Sequence, residues 1–413
     1  MGLLYNFSIA FFEQLLSFFS LFSHRIKKFL KPRTESFSIL NEKTKHFENY
    51  IWIHVASLGE YEQALPVIKE IKRSFVDYKT VLSFFSNSGF DIIKDKSICD
   101  LTILLPLDTT KNVKNFIDLV NPKMVLFVKY EFWPNYLNYL NKKNIPTYLI
   151  MGVFRNNHWF FKDYGKWFKK RFLAFKHFFV IDEGSLRVLK KNGFKNSTLI
   201  GDSRFERVMN IRNSNNKIEI IKKFKGSRLC VVAGSTWKDD ENLFINYINS
   251  LESSNICFII VPHQIHLKSI EHIKNSIKTK VTIMSQYRNF ENEKPKVMIV
   301  DSVGILTKIY SYADIAYVGG GMGKTGLHNT LEPAVFKIPV IIGNNFDKFN
   351  EVKKLIELGG ITSINNQQKF DEKMNEFISS KIKRSNIGEI NFNFIKSNLG
   401  ASKKIVQFLK KEK

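Results

Sequence analysis

The sequence predicts an α/β protein built from two tandem Rossmann-like, doubly wound parallel sheets facing a cleft, preceded by an apolar N-terminal helix. Three observations predict it. Short apolar runs alternate with helical patterns through two successive stretches of the 413 residues. Those runs are apolar throughout, as strands covered on both faces are. A polar stretch, Arg204 to Lys217, separates the two stretches and reads as an interdomain linker. A chain of this length exceeds one ordinary core. The expected divisions are residues 1–34, an N-terminal membrane anchor and basic linker; residues 35–206, a first domain; and residues 207–413, a second.

The N-terminal element is read from Leu3 to Phe22, rich in Phe and Leu with Glu13 its one charged residue. Its length is near the minimum for crossing a bilayer. Glu13 and the weakly polar positions Asn6, Gln14, Ser17 and Ser20 fit an interfacial helix equally well. A third possibility is a helix packed on the protein's own core. The basic residues His24, Arg25, Lys27, Lys28, Lys31 and Arg33 come after the apolar run, which excludes the layout of a cleaved signal peptide and places the two domains on the cytoplasmic side.

Strands of the first domain are expected at 50–56, 80–85, 101–105, 124–128, 147–151 and 177–181, with helices at 61–74, 110–120 and 132–142. In the second domain, strands are expected at 229–233, 257–261, 281–284, 297–300, 315–318 and 339–342. A helix start is expected at Leu327, and residues 403–413 read as an amphipathic basic helix.

Composition narrows the function classes. Hydrophobic residues make up 44% and charged residues 24%, a globular balance. The net charge of +25, from 63 Lys+Arg against 38 Asp+Glu, suits anionic membranes, phosphorylated substrates or nucleic acid. No helix-turn-helix, zinc finger or RNA-recognition pattern is present, so a nucleic-acid partner is not expected. Cys99, Cys230 and Cys257 lack metal or redox spacing, and no His/Asp/Glu/Cys set has metal-ligand spacing; neither metal nor other cofactor is expected.

The most informative stretch is Tyr317 to Pro333. A strand runs into the glycines 319–321, and Asn329-Thr330-Leu331-Glu332-Pro333 comes next. Glycines admit a close oxyanion, and a helix start offers unpaired N–H groups. Glu332 stands where a carboxylate can accept from a ribose diol. The other reading is a glycine-rich turn without chemistry.

Further polar turns fall at predicted strand ends. Glu60 comes after the first strand and opens a helix, where it reads as an ionised general base or as a capping Glu after Ser57. Lys129 and Glu131 end another strand, as substrate-reading groups or a surface ion pair. Arg204 can neutralise a departing phosphate. Pro262-His263 and the turn Val303-Gly304-Ile305 end strands of the second domain.

Together these residues identify a resemblance. Trp52-Ile53-His54-Val55-Ala56-Ser57-Leu58-Gly59-Glu60, Glu131-Phe132-Trp133-Pro134-Asn135, Gly319-Gly320 and His328-Asn329-Thr330-Leu331-Glu332-Pro333 resemble the 3-deoxy-D-manno-oct-2-ulosonic acid (Kdo) transferases of Gram-negative bacteria. The resemblance covers about Tyr50 to Gly360 and implies the GT-B glycosyltransferase fold. It implies inverting transfer of Kdo from CMP-Kdo to the lipid A precursor (lipid IVA) on the cytoplasmic face of the inner membrane. It makes Glu60 the base, and Glu131, Lys129 and Arg204 the transition-state stabilisers. It assigns CMP to Pro262, His263, Val303, Gly304, Ile305, Gly320, Gly321, Asn329, Thr330, Leu331 and Glu332. Lys129 stands where the family pattern Glu-x-Glu-x-Trp-Pro has its first carboxylate, and the choice between Lys129 and Glu131 stays open. Pro262-His263 lacks the family's intervening Arg, and Ile305 replaces a Glu. The rival readings are a GT-B enzyme of UDP-sugars, transferase or epimerase, and a basic nucleic-acid-binding protein.

Overall fold

The structure, a computed structural model, describes residues 2–45, 48–253, 255–287 and 294–412. Two units are present. The first runs from the N-terminus to Arg207 and takes back the chain from Leu399 onward; the second is Val208–Asn398.

The first unit is a seven-stranded sheet, every strand parallel to its neighbours. Its strands are β1 (Asn49–Val55), β2 (Tyr78–Phe84), β3 (Leu101–Leu104), β4 (Pro122–Val128), β5 (Thr147–Gly152), β6 (His177–Val180) and β7 (Ser197–Leu199). Their order is β3-β2-β1-β4-β5-β6-β7. Side chains alternate between faces. Ile51, Ile53 and Val55 of β1 enter one core layer with Leu126, Val128 and Ile150. Tyr50 and Trp52 enter the opposite layer with Phe127, Leu149 and Phe178.

The second unit repeats the plan with β8 (Leu229–Thr236), β9 (Ile256–Pro262), β10 (Val281–Ile283), β11 (Val297–Ile299), β12 (Ile315–Val318), β13 (Val340–Ile342) and β14 (Ile361–Ser363), in the order β10-β11-β9-β8-β12-β13-β14. In each sheet the chain winds one way and then the other. The direction reverses between β1 and β4 in the first and between β8 and β12 in the second. Such reversal points open a crevice at the strands' carboxyl ends.

Two helices precede β1: α1 (Gly2–Phe19) and α2 (His24–Lys43). The expected basic linker after the apolar run is therefore helical. Ser23 caps α2 by accepting from the Ile26 N–H, and Arg33, Ser36 and Leu40 are buried on its inner face. Arg33, expected in a solvated cluster, donates to the Phe29 carbonyl and to Asn87, and its guanidinium lies 3.7 Å from the Phe29 ring centroid.

Two other expectations are corrected. Residues 204–217 are not a linker throughout, because Arg204–Arg212 is helical, with Phe205 and Val208 buried. The last helix, Ala401–Lys411, belongs to the first unit and not to a domain spanning 207–413. Ala401, Ile405, Val406 and Leu409 enter the β1-side core, and Glu206 accepts from the N–H groups of Gly400 and Ser402 at the helix start.

Candidate functional site

The first cluster forms at the reversal point of the first sheet. Helix α3 (Leu58–Ser74) comes after β1, and Ser57 caps it by accepting from the Glu60 N–H at 3.4 Å. Glu60 reaches back, and its Oε2 accepts from the Ala56 N–H at 2.6 Å. Glu60 thus caps the helix start and sits at the carboxyl end of β1. Its Oε1 has no hydrogen-bond partner among the described residues. Burial pushes the Glu60 pKa up, Glu131 adds to this, and the Ala56 N–H, Lys129 and His54 oppose it. A raised value brings a carboxylate toward the working pH of a base.

Lys129 comes directly after β4 with φ +61, a left-handed conformation that costs a lysine about 1–3 kcal/mol. Burial lowers its pKa, opposed by the charge of Glu60. Asp202 and Arg204 lie in the same field. Arg204 is held in place, its Nε donating to Asp202 Oδ2 at 2.8 Å and its backbone N–H to Oδ1 at 2.9 Å. The structure thus brings Glu60, Lys129, Glu131 and Arg204 into one cluster, with Asp202 among them.

Glu131 is held from beneath. The Trp133 Nε1–H donates to its Oε2 at 2.8 Å, and His54 Nε2 lies 3.1 Å from the same atom. His54 is fully buried, with Nδ1 2.8 Å from Ser83 Oγ; that hydroxyl also accepts from the Trp52 Nε1–H at 2.7 Å. Sequence reasoning passed over His54, Ser83 and Asp202. A His inside an apolar run reads only as a strand residue, and the partner that orients it lies on β2.

The second cluster forms at the reversal point of the second sheet. Gly319 to Gly321 leave β12, and the close approach is real: a Cβ on Gly319 would stand 2.3 Å from the Ser235 carbonyl oxygen. At Gly320, φ is +89 and a Cβ would stand 2.1 Å from the Gly326 oxygen. The Gly320 N–H, expected to meet a ligand's oxyanion, meets the protein's own instead. It donates to Asp240 Oδ2 at 2.9 Å, and that carboxylate also accepts from the Trp237 N–H and the Tyr317 hydroxyl. A buried carboxylate needs such donors, and it consumes this one. Asp240 had no sequence signal, since Asp239-Asp240-Glu241 reads as a solvated helix start.

Pro262 ends β9, and the exposed His263 stacks on Trp237 with centroids 4.6 Å apart. The His328 ring lies 4.4 Å from that of His263, and its Nε2 accepts from the Trp237 Nε1–H at 3.2 Å, so the three rings touch one another. Burial and His263 both lower the His328 pKa. The sequence places Trp237 and His328 in polar turns and does not indicate this three-ring cluster. Val303, Gly304 (φ +85) and Ile305 form the turn before the helix Leu306–Ile309. That turn adjoins the end of β8, because a Cβ on Gly234 would stand 2.9 Å from Leu306 Cδ1.

The helix expected from Leu327 begins at Leu331 and ends at Ala334. Gly326, at φ +97, and the turn to Thr330 delay it. Asn329 braces its start, its Oδ1 accepting from the Leu331 N–H at 3.2 Å while its Nδ2 donates to Glu332 Oε1 at 3.2 Å. Pro262, His263, the 303–305 turn, Gly320, Gly321 and the Asn329–Glu332 segment thus all lie along the carboxyl edge of this sheet. Among the described residues, no group of three or more His, Cys, Asp or Glu is placed to hold a metal ion.

Among known protein families, residues 28–207 match the one described as 3-deoxy-D-manno-octulosonic-acid transferase (kdotransferase). A 3-deoxy-D-manno-octulosonic acid transferase of Haemophilus influenzae is 25% identical over 421 aligned positions, covering 96% of this chain and 95% of that one. One from Aquifex aeolicus is 28% identical over 349, covering 82% and 89%. A bifunctional glycosyltransferase/methyltransferase of Fusobacterium nucleatum is 28% identical over 385 positions; the match takes in 86% of this chain but spans only 58% of that longer protein. Among solved structures, a UDP-GlcNAc 2-epimerase of Neisseria meningitidis superposes with a TM-score of 0.62 at 14% identity, over 88% of this chain and 100% of that one. A glycosyltransferase of Rickettsia africae does so at 0.57 and 14%, over 89% and 99%. These two establish the fold, two parallel α/β units of the GT-B kind.

Proposed function

We propose that this chain, whose residues 28–207 match the 3-deoxy-D-manno-octulosonic-acid transferase family, is a member of that family and transfers Kdo, with inversion, from CMP-Kdo to a sugar hydroxyl of the lipid A precursor in lipopolysaccharide biosynthesis. The observation that carries the reading is the Glu60 carboxylate. It stands at a sheet reversal point, has one oxygen fixed by a backbone N–H, and has the other unengaged by the described residues.

In this reading the acceptor's hydroxyl proton passes to Oε1 of Glu60. The acceptor oxygen bonds to the anomeric carbon of Kdo, and the bond from that carbon to the CMP phosphate breaks, its electron pair leaving with the phosphate. Burial and Glu131 raise the base's pKa, which favours its taking that proton. Lys129 and Arg204, cations placed by backbone and by Asp202, balance the anionic charge that develops. Glu131, fixed by His54 and Trp133, keeps its carboxylate in the same field. In the second unit, Pro262, His263, the 303–305 turn, Gly320, Gly321 and Asn329 to Glu332 hold CMP, with Glu332 on the ribose. Leaving-group charge is met by side chains and N–H groups, so no metal takes part, and a chelator leaves the rate unchanged.

The acceptor is an anionic glycolipid. The exposed apolar helix α1 and the basic residues after it suit work at the cytoplasmic face of the inner membrane. The test is a transfer assay with labelled Kdo, activated to CMP-Kdo in situ, and a lipid A precursor. Label moving to the lipid supports the reading. Transfer from a UDP-sugar, with none from CMP-Kdo, overturns it.

A further inference from the structure

We propose that α1 lies in the plane of the membrane surface, and that the exposed edge of residues 159–173 is a second contact with the same anionic bilayer. This rests on the reading that the enzyme works on a membrane glycolipid.

The first observation is how α1 is fastened. Its partly covered positions, Tyr5, Asn6, Ile9, Glu13 and Leu16, recur at helical spacing, which marks one docked face. Two of them bond to the unit. The Tyr5 hydroxyl donates to Asp108 Oδ2 at 2.7 Å, and Glu13 Oε1 accepts from Asn112 Nδ2 at 2.6 Å. These two residues are about 12 Å apart along the axis at 1.5 Å per residue. A helix tied to its domain at both points lies along that domain; one running across a bilayer would carry Glu13 into hydrocarbon.

The second observation is what faces away. Leu3, Phe7, Phe11, Leu15, Phe18 and Phe22 form a stripe at three- and four-residue spacing, from 39% to 87% exposed. A contiguous apolar surface of this kind marks a partner or a membrane.

The third observation is the neighbouring segment. The Tyr5 ring lies 5.9 Å from that of Trp167, so residues 159–173 adjoin α1. Phe160 and Phe172 root the segment in the core, while Trp159, Tyr164 and Leu173 are 44%, 68% and 73% exposed. Lys162, Lys166 and Lys170 are exposed between them. From Arg155 to Lys176 there are seven Lys or Arg and one acidic residue. Exposed aromatics interleaved with lysines match the headgroup level of an anionic bilayer, with Trp and Tyr at the interface and the ammonium groups on lipid phosphates. This charge pattern, on a segment that adjoins α1 through the Tyr5–Trp167 contact, selects lipid over a protein partner as the occupant.

The test uses the full chain and flotation on vesicles of phosphatidylglycerol and phosphatidylethanolamine. Tyr164→Glu combined with Leu173→Glu, both at exposed positions, lowers partitioning tenfold or more with CMP affinity unchanged. Lys166→Glu with Lys170→Glu does the same on these vesicles and leaves the small residual binding to phosphatidylcholine vesicles unaltered. In a second arm, Gly2→Cys and His24→Cys variants, at positions flanking the apolar stripe, are labelled with a membrane-impermeant maleimide in sealed inverted membrane vesicles. Both positions label from the same side. Labelling from opposite sides overturns the in-plane helix. Wild-type-like flotation of both double variants overturns the second contact while leaving membrane binding intact. If the wild-type chain itself fails to float, the membrane reading falls and this inference with it.

Discussion

His54 Nε2 lies 3.1 Å from Glu131 Oε2, at the end of a buried line of polar atoms that starts at the Trp52 indole and passes through Ser83 Oγ. This line fixes one carboxylate of the first cluster, and that carboxylate raises the pKa of the other, Glu60.

Glu131→Gln tests that coupling. It removes a negative charge that raises the Glu60 pKa, so the base ionises at lower pH. The rate of a reaction that needs the ionised base falls as pH drops through its pKa. The acidic limb of kcat/KM against pH therefore moves to lower pH in this variant, beside any fall in the plateau. A limb that stays in place contradicts the coupling.

Ser83 joins two buried donors and acceptors, so Ser83→Ala leaves the Trp52 N–H and His54 Nδ1 without their partner. Leaving buried polar groups unsatisfied costs about 1–3 kcal/mol. A urea titration reads that loss as a lower midpoint with unchanged slope. A variant of wild-type stability shows that the line carries no energetic weight.

Gly320→Ala combines a strained φ of +89 with a Cβ 2.1 Å from the Gly326 oxygen. The cost is at least about 1–3 kcal/mol, and the bend must shift. Calorimetric titration is expected to show weaker CMP binding than Gly359→Ala, a site outside the cluster that also has positive φ but where a Cβ meets nothing within 4 Å. Equal affinities remove the bend from the nucleotide site.

Asp108 accepts from Tyr5 of α1 and from the N–H groups of Asn135 and Tyr136. Burial pushes its pKa up from 3.8 to about 6, against those hydrogen bonds. The folded state thus holds this proton more tightly than the unfolded chain does. The stabilisation is complete below about pH 4 and is lost as pH rises toward 6, on the order of 3 kcal/mol at 1.36 per unit. Asp108→Asn flattens that part of the stability profile in urea titrations between pH 4 and 7. An unaltered slope assigns the proton elsewhere.

Much of the fold was legible in the sequence, for identifiable reasons. Strands such as Cys257–Val261 and Ile315–Val318 sit between two layers of helices, so every position is apolar and the run stands out. The site residues fell at the ends of such runs, which is where a parallel sheet exposes its crevice. The edge strands β7 and β14 were missed because they carry no apolar run: each is one aliphatic residue beside Ser and Thr, and Thr198 and Leu199 of β7 face solvent. The helix Arg204–Arg212 was hidden by its charge; Phe205 and Val208 are its inward residues. The return of Ala401–Lys411 to the first unit depends on Glu206, nearly two hundred residues before it, and no local pattern encodes that distance. Asp240 and His54 were invisible for the same reason, since each is defined by partners on other strands.

The proposed function makes Glu60 the residue on which transfer depends. Transfer of labelled Kdo by Glu60→Gln, measured beside its CMP affinity, tests this most directly. The amide keeps the size of the side chain and an oxygen for the Ala56 N–H, but it cannot take a proton. The expected result is a loss of at least about a hundredfold in transfer, as removal of a general base gives, with CMP affinity unchanged. A variant that transfers Kdo near the wild-type rate contradicts the central claim.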